Sequence, residues 1–279
     1  MPDATVDTSR YDYMSPEQAR AMEQDGCFVV ENALPLDLVG ELDAAIDDLY
    51  DREKVAGRLP EDGKLNMRNC VTEHDAFLQL IDYPTTFPKA MGILNWNIHL
   101  ITSHLLVLPP GDKPEQPLRV GLHRDGGTSA QEMAEPHPRI LFKIGYVISD
   151  QSDPACGATV VVPGSNRYLG KPPTDPDTGG ARGAVAMNHK PGTAFLFEQR
   201  TYHGVGHNYS DIARKTIFVG YAYRWVKPMD YIAMPDELVA RGNPVQRQLL
   251  GAVDDALSFY LPQDADVPLK AVMAARAAE

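Results

Sequence analysis

The change in hydrophobic pattern near residue 98 is the feature that most constrains the fold. From there to about residue 223, the apolar residues come in segments that suit one strand each and are too short for a helix. Turn clusters such as Pro109-Pro110-Gly111 and Pro191-Gly192 separate them. Several short strands divided by such turns are typical of an antiparallel sandwich or barrel. The apolar segments lie at 104–108, 140–148, 158–162, 194–197 and 216–223.

The N-terminal part has a different, helical pattern. Ser15, followed by Pro16 and Gln18, predicts a helix start, because serine caps the helix and the glutamine completes a capping box. The apolar run Cys27–Val30 predicts a short strand. Between Leu36 and Tyr50 the apolar residues recur at helical spacing, which predicts a second amphipathic helix.

The length of 279 residues is compatible with one or two domains, since barrels of roughly 250 residues often fold as one. We interpret the chain as a single domain over residues 1–279, with a β core and helices on its N-terminal side. Its predicted parts are a flexible N-terminus at 1–13, a helical part at about 14–97 with a loop at 52–66, a β core at about 98–226, and a helical tail at about 235–279.

The acidic balance limits the partners. The net charge is −12, from 38 acidic and 26 basic residues, whereas nucleic acids and anionic membranes select basic surfaces. A local basic pocket can still override this average. No apolar run approaches the roughly 18 residues of a membrane helix, and no signal peptide is readable. The three cysteines, Cys27, Cys70 and Cys156, form no disulfide framework, which predicts a cytoplasmic protein.

Two segments offer candidate metal ligands. His123 and Asp125 alternate, so in a strand their side chains share a face and can bind one metal ion. By itself this pair also fits an ordinary surface turn. The second segment follows the apolar run 194–197 and contains both His203 and His207, either of which can face a cavity.

Arg214 stands eleven residues after His203, at the start of another predicted strand. A buried arginine presents a planar fork that pairs with a carboxylate, although a lone arginine at a strand edge is usually a surface charge. In combination the features carry more weight. Two histidines and one carboxylate form the facial triad of non-haem Fe(II) oxygenases. An arginine nearby would neutralise the far carboxylate of a cosubstrate that chelates the iron.

These motifs make the chain resemble the phytanoyl-CoA dioxygenase family of Fe(II)- and 2-oxoglutarate-dependent oxygenases. The resemblance covers about residues 14–226, and five pieces occur in the family's order. They are QARAMEQDGCFVV at 18–30, the pair His123 and Asp125, CGATVVVPGSN at 156–166, the pattern H-G-x-G-x-N-x-S beginning at His203, and Arg214 eleven residues later.

The resemblance implies a mainly β fold with flanking helices around a double-stranded β-helix, the cupin-like jelly roll. It also implies Fe(II), 2-oxoglutarate and O2 as cofactors, with His123, Asp125 and His203 as the metal ligands. Only His203 has the family's spacing to the arginine. Arg214 is then expected to bind the far carboxylate of 2-oxoglutarate, and Tyr146 to contact the same cosubstrate.

A small-molecule substrate is expected at the mouth of the jelly roll. The candidate contacts are Arg68, Asn69, Gln199 and His207, and the loop at 126–139 is predicted to be a lid. The remaining histidines are interpreted as structural or surface residues: His74, His99, His104, His137 and His189.

The implied activity is hydroxylation, oxidative cyclisation or desaturation of a small molecule in bacterial secondary metabolism, such as a sugar or aminoglycoside. The acidic balance favours a neutral or cationic substrate. We also expect a monomer or homodimer. An acyl-CoA or amino-acid hydroxylase is an alternative. A halogenase needs a glycine or alanine in place of Asp125. A non-catalytic jelly-roll module, or a cupin isomerase, has no need of Arg214.

Overall fold

The structure is a computed structural model that describes residues 6–126, 132–253 and 255–278. The strands in this part of the chain are β1 (Cys27–Val30), β2 (Leu65–Arg68), β3 (Ile98–Leu108), β4 (Leu141–Val147), β5 (Thr159–Val161), β6 (Val185–Ala186), β7 (Ala194–Glu198), β8 (His203–Val205) and β9 (Arg214–Tyr223). They form two antiparallel sheets, with the strand orders β1-β7-β4-β9-β3-β2 and β6-β5-β8.

The helices of the described chain lie mainly before β3 and after β9. They are α1 (Pro16–Asp25), α2 (Leu36–Val55), α3 (Asp75–Leu78), α4 (Phe87–Leu94), α5 (Asp236–Arg241), α6 (Pro244–Leu249) and α7 (Pro268–Ala277). The predicted start of α1 is confirmed. Ser15 Oγ accepts a hydrogen bond from the Gln18 backbone N–H, and Gln18 Oε1 accepts one from the Ser15 N–H. Gly26 ends the helix with a φ of 70°.

The two faces of the large sheet pack against different partners. On β4, Phe142 and Ile144 belong to the core formed with the helices. Val147 lies on the opposite face and packs with Phe195 and with Val161 of the small sheet. The interior between the two sheets is therefore a separate compartment from the helical core. This compartment holds the three predicted metal ligands and Arg214.

The segment predicted as a loop at 52–66 is corrected at both ends. Helix α2 continues to Val55, helped by Glu53, which accepts hydrogen bonds from Arg58 at 2.6 and 2.7 Å. Residues Leu65–Arg68 form β2, an edge strand paired with β3. Its residues alternate between apolar and polar, but four residues among charged and turn-forming neighbours are too few to identify a strand, and the pairing with β3 reveals it.

Two predicted mobile segments lie partly outside the described residues, namely 1–5 of the N-terminus and 127–131 of the loop at 126–139. Residue Asp12 is held by Lys89, whose Nζ donates to its carboxylate at 2.7 Å and to its carbonyl at 2.8 Å. Farther along, Arg139 pairs with Glu198. Among the helices that the structure describes, none is long and apolar enough to cross a membrane.

Candidate metal centre and cosubstrate pocket

The structure brings the three predicted metal ligands together. One ligand atom from each of His123, Asp125 and His203 lies within 4.8 Å of the others. Nε2 of His123 is 3.9 Å from Asp125 Oδ1, and Nε2 of His203 is 3.7 Å from Asp125 Oδ2. Two ring nitrogens and one carboxylate are the donor set of a facial triad, which suits Fe(II).

Backbone hydrogen bonds fix this cluster. The N–H groups of His123 and His203 donate to each other's carbonyls, at 2.9 and 3.0 Å, in an isolated antiparallel bridge. Two residues further, the Asp125 N–H donates to the Gln199 carbonyl at 3.1 Å. The alternating pair 123 and 125 therefore runs beside the start of β8, which holds the third ligand.

The environment of His203 favours the form that binds a metal. Its Nδ1–H donates to the Thr201 carbonyl at 2.9 Å, so Nε2 is left as the lone-pair nitrogen directed to the triad. Burial lowers the pKa of His203 to about 4, although the nearby Asp125 carboxylate opposes this shift. The ring is thus neutral at physiological pH. Phe197 packs against it with ring centroids 4.6 Å apart.

Asp125 has a partner that the sequence did not reveal. Lys143 on β4 donates from Nζ to Asp125 Oδ1 at 2.8 Å, and both side chains are buried. Burial alone would raise the pKa of Asp125, but the charge of Lys143 and the proximity of His203 lower it to about 2. The second oxygen, Oδ2, is buried without a hydrogen-bond partner among the described residues. One oxygen is thus held, and the other is left for a metal.

Arg214 is fully buried at the start of β9. Its Nε donates to Gln151 Oε1 at 3.3 Å and its Nη2 to Thr159 Oγ1 at 2.8 Å, while Nη1 has no acceptor within the described part of the chain. Burial lowers the pKa of Arg214 to about 10, so it remains charged at neutral pH. Thr159 and Val161 are two residues apart on β5, a distance of about 7 Å. Val161 pairs with His203. The guanidinium is therefore suited to a carboxylate near the triad.

The expectation for Tyr146 is corrected. Tyr146 lies on the helical face of β4, where its hydroxyl is 2.6 Å from Thr86 Oγ1 and donates to the Leu80 carbonyl at 3.3 Å. Lys143, an odd number of residues away on the same strand, faces the triad instead. Tyr146 is thus separated from the triad by the sheet and does not reach a cosubstrate there.

The candidate substrate contacts divide into two pairs. Arg68 is half-exposed and lies on the same face of β2 as Asn66, which faces the interior. Burial lowers the pKa of His123, and the charge of Arg68 contributes to this shift. Asn69 follows Arg68, with Oδ1 buried and no partner in the described residues. Arg68 thus lies at the rim of the compartment, with its Nη1 3.6 Å from Asp230 Oδ1, and the Asn69 backbone N–H donates to Oδ2 of the same carboxylate at 3.4 Å. Gln199 and His207 are the second pair.

Gln199 lines a small cavity beside Asp125, but its amide is occupied by backbone. Its Oε1 accepts from the Leu141 N–H at 3.1 Å, and its Nε2 donates to the Pro138 carbonyl at 2.6 Å. His207 is exposed, and its ring lies 3.2 Å from the Arg119 carbonyl rather than at the triad.

Sequence reasoning missed Lys143 and interpreted His104 as a structural or surface residue. His104 faces the interior from β3, where its Nε2 is 2.6 Å from Asn66 Oδ1. Burial and the charges of Arg68, Lys143 and other groups lower the pKa of His104 to about 3. A signal for the lysine existed in the sequence. A lysine within an otherwise apolar strand is rare unless its charge is paired.

Comparison with known proteins assigns the family. The model of the phytanoyl-CoA dioxygenase family matches residues 22–216. The chain belongs to this family. An uncharacterized protein of Mycobacterium tuberculosis, Rv1501, is 27% identical over 224 residues, which cover 74% of this chain and 76% of the relative. Dioxygenase trt7 of Aspergillus terreus is 24% identical over 251 residues, 85% of this chain and 84% of the relative.

Solved structures confirm the predicted fold. EctD from S. alaskensis, crystallised with Fe, has a TM-score of 0.60 at 22% identity over 86% of this chain and 90% of that one. HygX from Streptomyces hygroscopicus, with nickel and 2-oxoglutarate bound, has a TM-score of 0.61 at 15% identity over 83% and 95%. This family member is therefore a cupin-like jelly roll with flanking helices.

Proposed function

We propose that the protein is an Fe(II)- and 2-oxoglutarate-dependent dioxygenase that oxidises a small molecule. His123, Asp125 and His203 would hold the metal, and Arg214 would bind the far carboxylate of 2-oxoglutarate. The observation that carries the proposal is that two buried polar atoms of the site lack a hydrogen-bond partner. The buried Oδ2 of Asp125 and the buried Nη1 of Arg214 both lack partners among the described residues, as expected of groups that meet ligands.

The residues of the chain divide the work of such a site. Bound Fe(II), with 2-oxoglutarate and O2, supplies the oxidising power for a C–H bond. Lys143 holds Asp125 through one oxygen, which favours monodentate binding by the other. The Thr201 carbonyl fixes the ring of His203. Phe197 and its apolar neighbours exclude water from the buried side of the triad.

The presence of Asp125 favours oxygenation over halogenation. Its carboxylate would take the place on the metal that a halide would need, and its negative charge would disfavour a second anion beside it. We expect a hydroxylated, cyclised or desaturated product, with about one succinate formed per turnover regardless of chloride. A chlorinated product in excess chloride, or turnover without 2-oxoglutarate, would contradict the proposal.

The substrate is proposed to be a natural product of secondary metabolism, such as a sugar or aminoglycoside. The acidic balance of the chain supports a neutral or cationic substrate, and the half-exposed Arg68 would offer a polar contact that suits a neutral sugar better than a cation. An acyl-CoA or amino acid is the alternative. Screening these classes for coupled succinate formation distinguishes them. We further propose a cytoplasmic monomer or homodimer, which gel filtration and the redox state of the cysteines would test.

The choice of metal ligands can be tested with a matched pair of variants. His203→Ala should lose most Fe(II) binding in an anaerobic titration, because it removes one of three donors. His207→Ala changes an exposed histidine four residues away and should bind Fe(II) as the wild type does. Loss of binding in His207→Ala with normal binding in His203→Ala would assign the distal ligand to His207.

A further inference from the structure

A large cavity lies away from the triad, between the segment after β9 and the C-terminal helices. Its volume is about 1740 Å³, more than the roughly 300–1,000 Å³ of ordinary ligand sites. Apart from His99 and a few residues of the N-terminal segment, its lining follows residue 216, where the family match ends. The apolar part of the wall includes Trp225, Tyr231, Met234, Val239, Phe259 and Tyr260.

Arg224 stands in the wall of this cavity and is only 2% exposed. Its Nη1 donates to the Ser258 carbonyl at 3.3 Å and its guanidinium lies 5.4 Å from the centre of the Phe259 ring, but Nε and Nη2 are buried without a hydrogen-bond acceptor in the part of the chain that the structure describes. Arginine stays charged in proteins, and buried charged donors are normally paired. Arg214, the expected cosubstrate anchor, also keeps one buried nitrogen without an acceptor there.

The charges around the cavity differ from the average of the chain. The lining has four basic residues and three acidic ones, whereas the whole chain has a net charge of −12. Burial lowers the pKa of Arg224, and Asp266 partly opposes that shift without a hydrogen bond to it. The basic members are Arg224, Lys227, Arg247 and Arg276, and the acidic members are Asp236, Asp264 and Asp266.

The cavity adjoins the metal centre through a fixed wall. Val226 and Lys227 line both this cavity and the smaller one beside Asp125. The wall is held because the ring of His99 donates to the Val226 carbonyl at 2.8 Å, and the N–H of Met229 donates to β3 at 2.8 Å. A ligand in the large cavity would therefore contact a segment that borders the triad.

We propose that this cavity binds a small organic anion with an apolar body, and that Arg224 is its counter-ion. The aromatic and aliphatic wall would bury the apolar body, and the two unpartnered nitrogens of Arg224 would donate to the acid group. Carboxylates, sulfonates and phosphates share the required chemistry. The site does not depend on the dioxygenase activity proposed above, because neither metal nor 2-oxoglutarate takes part in it.

A pair of fluorescent probes tests the charge and the apolar body separately. Anilinonaphthalene sulfonate carries both, and phenylnaphthylamine has the same rings without the charge. The wild type should bind both probes. Arg224→Gln should weaken sulfonate binding by about ten- to hundredfold, the loss expected for hydrogen bonds to a charged group, and leave the neutral probe unchanged. The control Arg241→Gln changes an exposed arginine at the end of α5, outside the cavity lining.

A cavity-filling variant and a displacement experiment test the site and the preferred acid group. Ala271→Trp fills the cavity from an exposed lining position and should weaken both probes, which identifies the cavity as their site. Decanoate and decyl phosphate should displace the sulfonate dye, and their order shows which acid group is preferred. Equal sulfonate binding by wild type and Arg224→Gln would overturn the proposal, as would failure of both decyl anions to displace the dye. Binding of 2-oxoglutarate by Arg224→Gln, measured separately, should be unchanged.

Discussion

Replacing Arg214 with methionine tests the proposed cosubstrate pocket most directly. The change keeps the length and much of the volume of a fully buried side chain, but it removes the charge and all five N–H donors. Because Nη1 already lacks an acceptor in the described structure, the unliganded protein loses only the bonds to Gln151 and Thr159. We therefore expect Arg214→Met to fold with near wild-type stability.

The effect on 2-oxoglutarate should be large. A carboxylate paired with this guanidinium would be buried, and truncation of one partner of a buried charge pair costs about 3–5 kcal/mol. At about 1.4 kcal/mol per tenfold, the affinity should fall by roughly two to three orders of magnitude. Arg214→Lys keeps a point charge without the planar fork, so its affinity should be intermediate.

Anaerobic calorimetry with Fe(II)-loaded protein measures this affinity without turnover. Arg224→Gln is a suitable control, since it removes another buried arginine with unpartnered nitrogens in the described chain but leaves the pocket beside the triad intact. An affinity for 2-oxoglutarate in Arg214→Met that stays close to the wild-type value would refute the assignment of this residue as the anchor.

Three further changes probe the groups around the site. Lys143→Met should destabilise the metal-free protein by about 3–5 kcal/mol, because it leaves the buried Asp125 unpaired; denaturant unfolding should show that loss, and added Fe(II) should reduce it. The folded-state pKa of His99 is about 4, below its ordinary value of 6.5, so its stabilising contribution is complete above pH 6.5 and is lost as the pH falls towards 4. His99→Gln should therefore flatten the acid side of the stability profile by at most about 3 kcal/mol, and an unchanged slope would contradict this. Gly145→Ala would place a Cβ 2.3 Å from the Phe195 ring, so the free energy of unfolding should fall by about 1–3 kcal/mol and the melting temperature should fall with it. An unchanged melting temperature would show that the ring can move away.

The sequence supported the β core and the site for different reasons. Strands such as β7 and β9 were predictable because they are apolar runs between turns. The alternation of His123 and Asp125 placed both on one side without knowledge of any partner strand. Arg214 was identified by its spacing from His203 in the family resemblance. These signals are local, because each can be read from a short stretch of sequence without knowledge of the long-range contacts.

The misassigned residues depend on long-range pairing. All seven residues of β4 are buried, so this strand has no polar alternation to show which face meets the helices and which meets the second sheet. The family resemblance that suggested Tyr146 does not define which face of β4 it lies on, and the one charged residue of the strand, Lys143, was overlooked. Strand β2 likewise becomes evident only from its pairing with β3, whereas the extension of α2 is accompanied by the local pair of Glu53 and Arg58.

The backbone bridge between His123 and His203 has a consequence for the identity of the bound ion. Reciprocal backbone hydrogen bonds at 2.9 and 3.0 Å join the two proposed ligand residues, so main-chain contacts that involve no metal hold them side by side. With the backbone of two donors fixed in this way, we expect the site to discriminate little between ions of different size. Intrinsic affinity then follows the usual order of divalent metals, in which nickel exceeds iron. The metal content of the purified protein should accordingly follow the supply of ions in the growth medium, with mismetallation whenever nickel is abundant.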